Sequence, residues 1–119
     1  MKTILIADDS AFMRKWLRNI LEKHAYVVIA EAANGIDAVR LYQKHHPDMV
    51  LLDIIMPVTD GLTALKKIKQ LDQCANIIIV SSLATKENVM VALQHGAKDF
   101  IIKPYFHNLI PTLEKISKP

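Results

Sequence analysis

The chain is 119 residues long, 51% hydrophobic and 23% charged, enough for one sizeable core and too apolar for an intrinsically disordered protein. Its net charge of +3 comes from lysines and arginines scattered along the chain, which leaves no footprint for direct nucleic-acid binding. A single cysteine, Cys74, excludes an intramolecular disulfide, and no apolar run suffices for a signal-peptide core or a membrane span, so a cytoplasmic setting without membrane insertion is expected.

Residues 3–7, TILIA, open the chain as a short β-branched strand. Met13, Trp16, Leu17, Ile20 and Leu21 then recur at helical spacing, with Trp16 read as a core residue. A second strand is expected at 26–30, YVVIA, followed by a helix that Asn34 caps and that ends before Pro47. DMVLL at 48–52 reads as the third strand, and Leu62, Leu65 and Ile68 stripe a third helix with Asp60 as its cap. NIIIVS at 76–81 is the fourth strand; Val89, Met90 and Leu93 stripe a fourth helix stopped by Gly96. DFIIK at 99–103 is the fifth, and the last helix starts near Asn108 so that Pro111 falls within its first turn.

These strands are mostly continuous apolar runs, as expected when both faces of a sheet are covered. Alternating strands and helices therefore predict an α/β fold: a doubly wound parallel sheet of five strands, (βα)5, with right-handed crossovers. No linker or repeat divides the chain, and residues 1–119 are expected to be one domain.

The stretch MVLLDIIMP, residues 49–57, interrupts an apolar run with one carboxylate, Asp53. A buried unpaired charge is costly, so something must meet it. In doubly wound sheets the site lies at the carboxyl ends of the strands. There Asp8 and Asp9 follow the first strand, Asp53 the third, Ser81 and Ser82 end the fourth, and Lys103 ends the fifth beside Pro104. Crowded carboxylates must share a cation or take up a proton. With oxygen donors and neither Cys nor His at these strand ends, Mg2+ is favoured, with Mn2+ as a substitute. Lys103 adds a fixed positive charge that would stabilise an anion beside Asp53, and carboxylates can form aspartyl phosphates. Asp53 reads as a phosphate acceptor.

The ordered set ADDS, LLDIIMP, DG, IVSS and KP resembles the receiver domain of two-component response regulators over essentially the whole chain. DDSAFMR, EAANG and HGAKDFIIKP resemble its CheY-like, chemotaxis-type members most. The resemblance implies a flavodoxin-like sheet of strand order 2-1-3-4-5. It implies that Asp53 takes a phosphoryl group from a histidine kinase, and that Asp8, Asp9, Asp53 and the backbone carbonyl of Ile55 hold Mg2+. Ser81, with Ser82 beside it, and Lys103 would contact the phosphate, Phe100 would be the aromatic switch, and the Lys103–Pro104 peptide would be cis. The output target would bind the face made by the fourth helix, fifth strand and fifth helix, with a flagellar motor switch protein as the candidate and a phosphatase as a further partner. The protein would be a monomeric switch rather than an enzyme, acting only on its own phosphorylation state. Ile55 and Leu83, apolar where relatives often carry polar groups, would slow hydrolysis of the acyl phosphate.

Two rivals fit less well. A phosphatase of the haloacid dehalogenase kind needs a second acid for the leaving group, and residue 55 is Ile. A flavin- or nucleotide-binding domain should offer amides and hydroxyls in its first loop, where DDS presents two negative charges. Within the receiver reading, the start at Met1 and the end just after the fifth helix favour a free-standing regulator. The alternative is a receiver cut from a regulator with a DNA-binding or other effector domain. His24, His45, His46, His95 and His107 share no ligand spacing, and Cys74 shows no activating context. Arg14, Lys15 and Arg18 read as a solvated helix face; Tyr105 stays open between an output contact and loop packing.

Overall fold

The computed structural model describes residues 1–117. Strands β1 (Thr3–Ala7), β2 (Val27–Ala32), β3 (Met49–Leu52), β4 (Ile77–Ser81) and β5 (Asp99–Ile102) form one parallel sheet in the order β2-β1-β3-β4-β5. Helices α1 (Ala11–Glu22), α2 (Gly35–His45), α3 (Gly61–Leu71), α4 (Lys86–Gln94) and α5 (Leu109–Ser117) alternate with the strands, and a 3-10 turn (Phe106–Asn108) leads into α5. Four helices begin on a side-chain cap: Ser10, Asn34, Asp60 and Thr85 each accept from the amide three residues on, satisfying a donor that the helix itself leaves free. Pro111 lies in the first turn of α5, where its missing amide costs nothing.

The sheet divides the core in two. On one side Leu5, Val50, Leu52, Ile77 and Ile79 pack under Ala38, Tyr42, Ala64, Leu65, Ile68 and Ala92 of α2, α3 and α4. On the other, Ile4, Ile6, Leu51, Ile78 and Val80 meet Leu17 and Leu21 of α1 and Leu109 and Leu113 of α5. Burying one such Leu or Ile contributes about 1.5–3 kcal/mol, so the apolar strand runs dictate both layers. Chain order reverses beside β1, and the crevice this opens lies at the carboxyl ends of β1 and β3. Among the described residues no helix is long and apolar enough to cross a membrane.

Three expectations need correction. Strand β2 runs 27–32 rather than 26–30, because Ala30, Glu31 and Ala32 still pair with Leu5, Ile6 and Ala7 beyond a register shift between Ile4 and Leu5. On α4 only Ala92 is fully buried, while Met90 and Leu93 stay 49% and 47% exposed; the apolar stripe there faces out, not in. Trp16 is likewise no core residue. It stands 38% exposed between Phe12 and Phe106, edge-on to both, in an aromatic ridge along α1. Helical periodicity marks an apolar face but not what covers it.

Candidate functional site

Ala7 of β1 lies opposite Leu52 of β3, so residues 8 and 53 leave the sheet side by side. The Asp53 amide donates to the Ala7 carbonyl and the Asp8 amide to the Ala32 carbonyl, each at 2.9 Å, which fastens both aspartates to the sheet edge. Asp8 and Asp53 are 1% and 6% exposed, whereas Asp9 is exposed. One carboxylate oxygen from each of the three lies within 4.8 Å of the others. Three hard oxygen donors, two of them held by the sheet, match the ligand chemistry of Mg2+.

The Lys103 ammonium, carried in from the end of β5, donates to Asp53 Oδ2 at 2.7 Å and to Asp8 Oδ2 at 2.5 Å. Burial works to lower its pKa, but the hydrogen bonds to Asp53 and Asp8 and the charges behind them outweigh burial, leaving it above the usual lysine value. The remaining oxygens are also engaged: Ser10 N donates to Asp8 Oδ1 at 2.9 Å and Ile55 N to Asp53 Oδ1 at 3.3 Å. Ser81 leaves the same end of the sheet, since Leu52 pairs with Ile79; it is 1% exposed and its Oγ accepts from Leu83 N at 3.2 Å. Ser82 is exposed and apart from this network. Phe100 is half-buried against the α2–α3–α4 side of the core. The Lys103–Pro104 peptide is cis, and Lys103 N donates to the Ser81 carbonyl at 3.1 Å, tying β5 to β4 at the mouth. Ile55 and Leu83 line the outside, 53% and 41% exposed.

The loop from Asp53 to α3 explains the DG pair. Asp60 caps α3 through Thr63 N at 2.8 Å, and Gly61 donates to the Ile54 carbonyl at 2.8 Å. A Cβ on Gly61 would sit 1.8 Å from the Asp53 carbonyl oxygen, so only glycine lets the helix start against the acceptor strand. Between them Thr59 N donates to the Pro57 carbonyl at 2.8 Å, a γ-turn that puts Val58 at φ 68° with 77% exposure. A β-branched residue at that φ is strained.

Arg14 and Arg18 are not a free solvated face. Both converge on Glu31 of β2, Arg14 Nε at 2.9 Å and Arg18 Nη2 at 2.5 Å, and Arg14 Nη1 also donates to the Asp8 carbonyl at 2.6 Å. The signal was present as a carboxylate closing an apolar strand, VVIAEA, opposite two arginines four residues apart. Tyr105 is 64% exposed, which decides against loop packing.

A doubly wound sheet with an acidic cluster and one ammonium at its switch edge defines the class. A family model for the response regulator receiver domain matches residues 4–113. The chain is 50% identical to the chemotaxis protein CheY of Bacillus subtilis over 97% of its own length and 94% of that protein. It is 43% identical to the CheY of Thermotoga maritima, covering 98% of each chain. In structure it resembles a chain of the CheX–CheY–BeF3–Mg2+ complex from Borrelia burgdorferi at a TM-score of 0.95 and 36% identity, covering 99% of this chain and 90% of that one. The chain belongs to the response regulator receiver family, and within it is CheY-like.

Proposed function

We propose that this protein is a phosphorylation switch of chemotaxis signalling in which Asp53 accepts a phosphoryl group from a phosphohistidine on a kinase. The observation that carries the reading is the convergence of Asp8, Asp9 and Asp53 with Lys103 bonded to two of them. An Asp53 carboxylate oxygen forms the new bond to phosphorus while the phosphorus–nitrogen bond of the donor breaks. The imidazole nitrogen keeps the electron pair and takes up a proton. Lys103 holds Asp53 in place beforehand and supplies a fixed positive charge for the incoming phosphoryl oxygens. Asp8, Asp9 and Asp53, with the Ile55 carbonyl, would hold Mg2+; when bound, it neutralises charge on the phosphoryl oxygens. The similarity to a CheY chain in a complex with BeF3 and Mg2+ supports that cofactor.

Signalling follows from the added charge. A phosphoryl group brings about 1.5–2 negative charges and three acceptor oxygens. Ser81 donates its hydroxyl to one of them, drawing the end of β4 inward, and Phe100 turns into the space vacated. The face of α4, β5 and α5 then changes. Met90, Leu93, Ile102 and Tyr105, 46–64% exposed, give that face apolar area for an output partner, the flagellar motor switch being the candidate. The protein acts in the cytoplasm as a switch, catalysing nothing beyond gain and loss of its own phosphoryl group. Ile55 and Leu83 shield the acyl phosphate from water.

Acetyl phosphate with Mg2+ should add one phosphoryl group to the intact protein, seen by mass spectrometry as an alkali-labile adduct on Asp53. Asp53→Asn should abolish it. An unmodified wild type, or an adduct that persists in Asp53→Asn, overturns the assignment.

A further inference from the structure

We infer that Arg14 is a positioning residue for the acidic cluster: by holding the Asp8–Asp9 peptide through its carbonyl, it aims the Asp9 carboxylate at the other two. This rests on the reading of the cluster as a Mg2+ site, and adds a residue outside it that governs its affinity.

The three acids are not held alike. Asp8 and Asp53 have buried side chains bonded to Lys103 and to backbone amides. Asp9 is exposed, and among the described residues no hydrogen bond reaches its carboxylate. With no side-chain bond to hold it, only the backbone placement of its Cα–Cβ bond limits which rotamers bring its carboxylate to the other two. The carbonyl of Asp8 belongs to the peptide that joins Asp8 to Asp9, and Arg14 Nη1 donates to it at 2.6 Å. Rotation of that peptide would swing Asp9 away and break this bond.

Arg14 can serve as a fixed post because it is itself anchored twice. Its Nε donates to Glu31 Oε1 at 2.9 Å, and its side chain is only 19% exposed. Glu31 is held independently by Arg18, through Nε at 3.0 Å and Nη2 at 2.5 Å on Oε2. Burial of Glu31 works against its charge, yet its bonds to Arg18 and Arg14 win and keep it anionic. The line Arg18–Glu31–Arg14–Asp8 thus runs from the face of α1, across the edge strand β2, to the site. Lysine has no planar fork to bridge a carboxylate and a carbonyl in this way.

The sign of the effect separates positioning from plain electrostatics. A guanidinium beside a cation site repels the cation, so Coulomb's law alone says that removing it tightens Mg2+ binding. Positioning says the reverse. The test is a titration of the 15N-labelled full chain with MgCl2, read from the backbone amide shifts of Asp9 and Ser10, with thermal unfolding measured in parallel. Arg14→Met should raise the Mg2+ dissociation constant about tenfold, the lower range for outer-shell partners of metal ligands. Arg18→Met, which frees one side of Glu31 but does not touch Asp8, should raise it less than Arg14→Met does. Arg14→Lys keeps the charge and should bind more weakly than wild type, which also decides the matter if Arg14→Met does not fold. Wild-type affinity or tighter binding in Arg14→Lys or Arg14→Met overturns the inference and leaves the acceptor reading standing. A wild type that shows no Mg2+ response overturns both.

Discussion

At the amino edge of the sheet Asp48 accepts from Thr3 N at 2.7 Å and Thr3 Oγ1 at 3.1 Å, and Asp72 from the Tyr42 hydroxyl at 2.7 Å. Lys69 there donates to the carbonyls of Gln73 and Ala75 at 2.6 and 3.1 Å. Each charge meets neutral dipoles, and nothing further is required. At the carboxyl edge three clustered carboxylates, Asp8, Asp9 and Asp53, have the ammonium of Lys103 among them, and it bonds only Asp8 and Asp53. The same residue types close one end of the sheet and leave the other with surplus negative charge. What separates a structural edge from a reactive one here is the ratio of acids to cations, not the presence of charge.

The strongest way to break that contrast is to remove the cation. Lys103→Met leaves two buried carboxylates facing each other and should lower the unfolding free energy by about 3 kcal/mol, with part restored by MgCl2. Urea unfolding with and without Mg2+ measures it; a variant as stable as wild type would mean that the carboxyl edge carries no surplus charge. Because the Lys103 pKa is raised, its contribution should be complete below the ordinary lysine value and fade only as pH climbs through the raised one.

Backbone strain sharpens the contrast more modestly. Ala25 and His46, at φ 65° and 45°, sit just past the ends of α1 and α2, where a left-handed residue commonly closes a helix. Val58, at φ 68° on the acceptor loop, has no such excuse. Val58→Asn should raise stability by about 1 kcal/mol, since Asn tolerates that region and a β-branched chain does not. A lower melting temperature in the variant would show that Val58 is favourably placed.

The smallest effect belongs to the amino edge. The Thr3 amide hydrogen bond holds the Asp48 carboxyl below its usual range despite some burial. A depressed carboxyl pKa stabilises above the unfolded value and loses that contribution as pH falls through the folded one. The stability gap between wild type and Asp48→Asn should therefore hold above about pH 5 and close as acid protonates Asp48. A gap that persists at low pH in chemical unfolding would show that Thr3 does not favour the charged form.

Much of the site was legible because its residues are punctuation in apolar text. Asp53 breaks MVLL, the DD pair ends TILIA, and Lys103 ends DFII, so each strand hands its polar residue to one edge. Asn34, Asp60 and Gly96 were legible for the same local reason: caps act within one turn of their own helix. Trp16 and the α4 stripe misled because burial depends on what lies opposite, and 3.6-residue periodicity is equally that of an uncovered apolar face. Arg14 was missed because its partners, the Asp8 carbonyl just past β1 and Glu31 on β2, lie 6 and 17 residues away.

By itself the sequence determined five strands, five helices, the caps at Asn34, Asp60 and Gly96, and the set of acids and the lysine that would gather at one edge. These follow from alternation of apolar runs with helical stripes, and from where each run is interrupted. Only the tertiary structure decided which of those groups are buried, that one ammonium bonds two carboxylates, and that Arg14 grips the peptide between Asp8 and Asp9. Those are facts about distance between strands far apart in the chain, and no local pattern of residues encodes a distance.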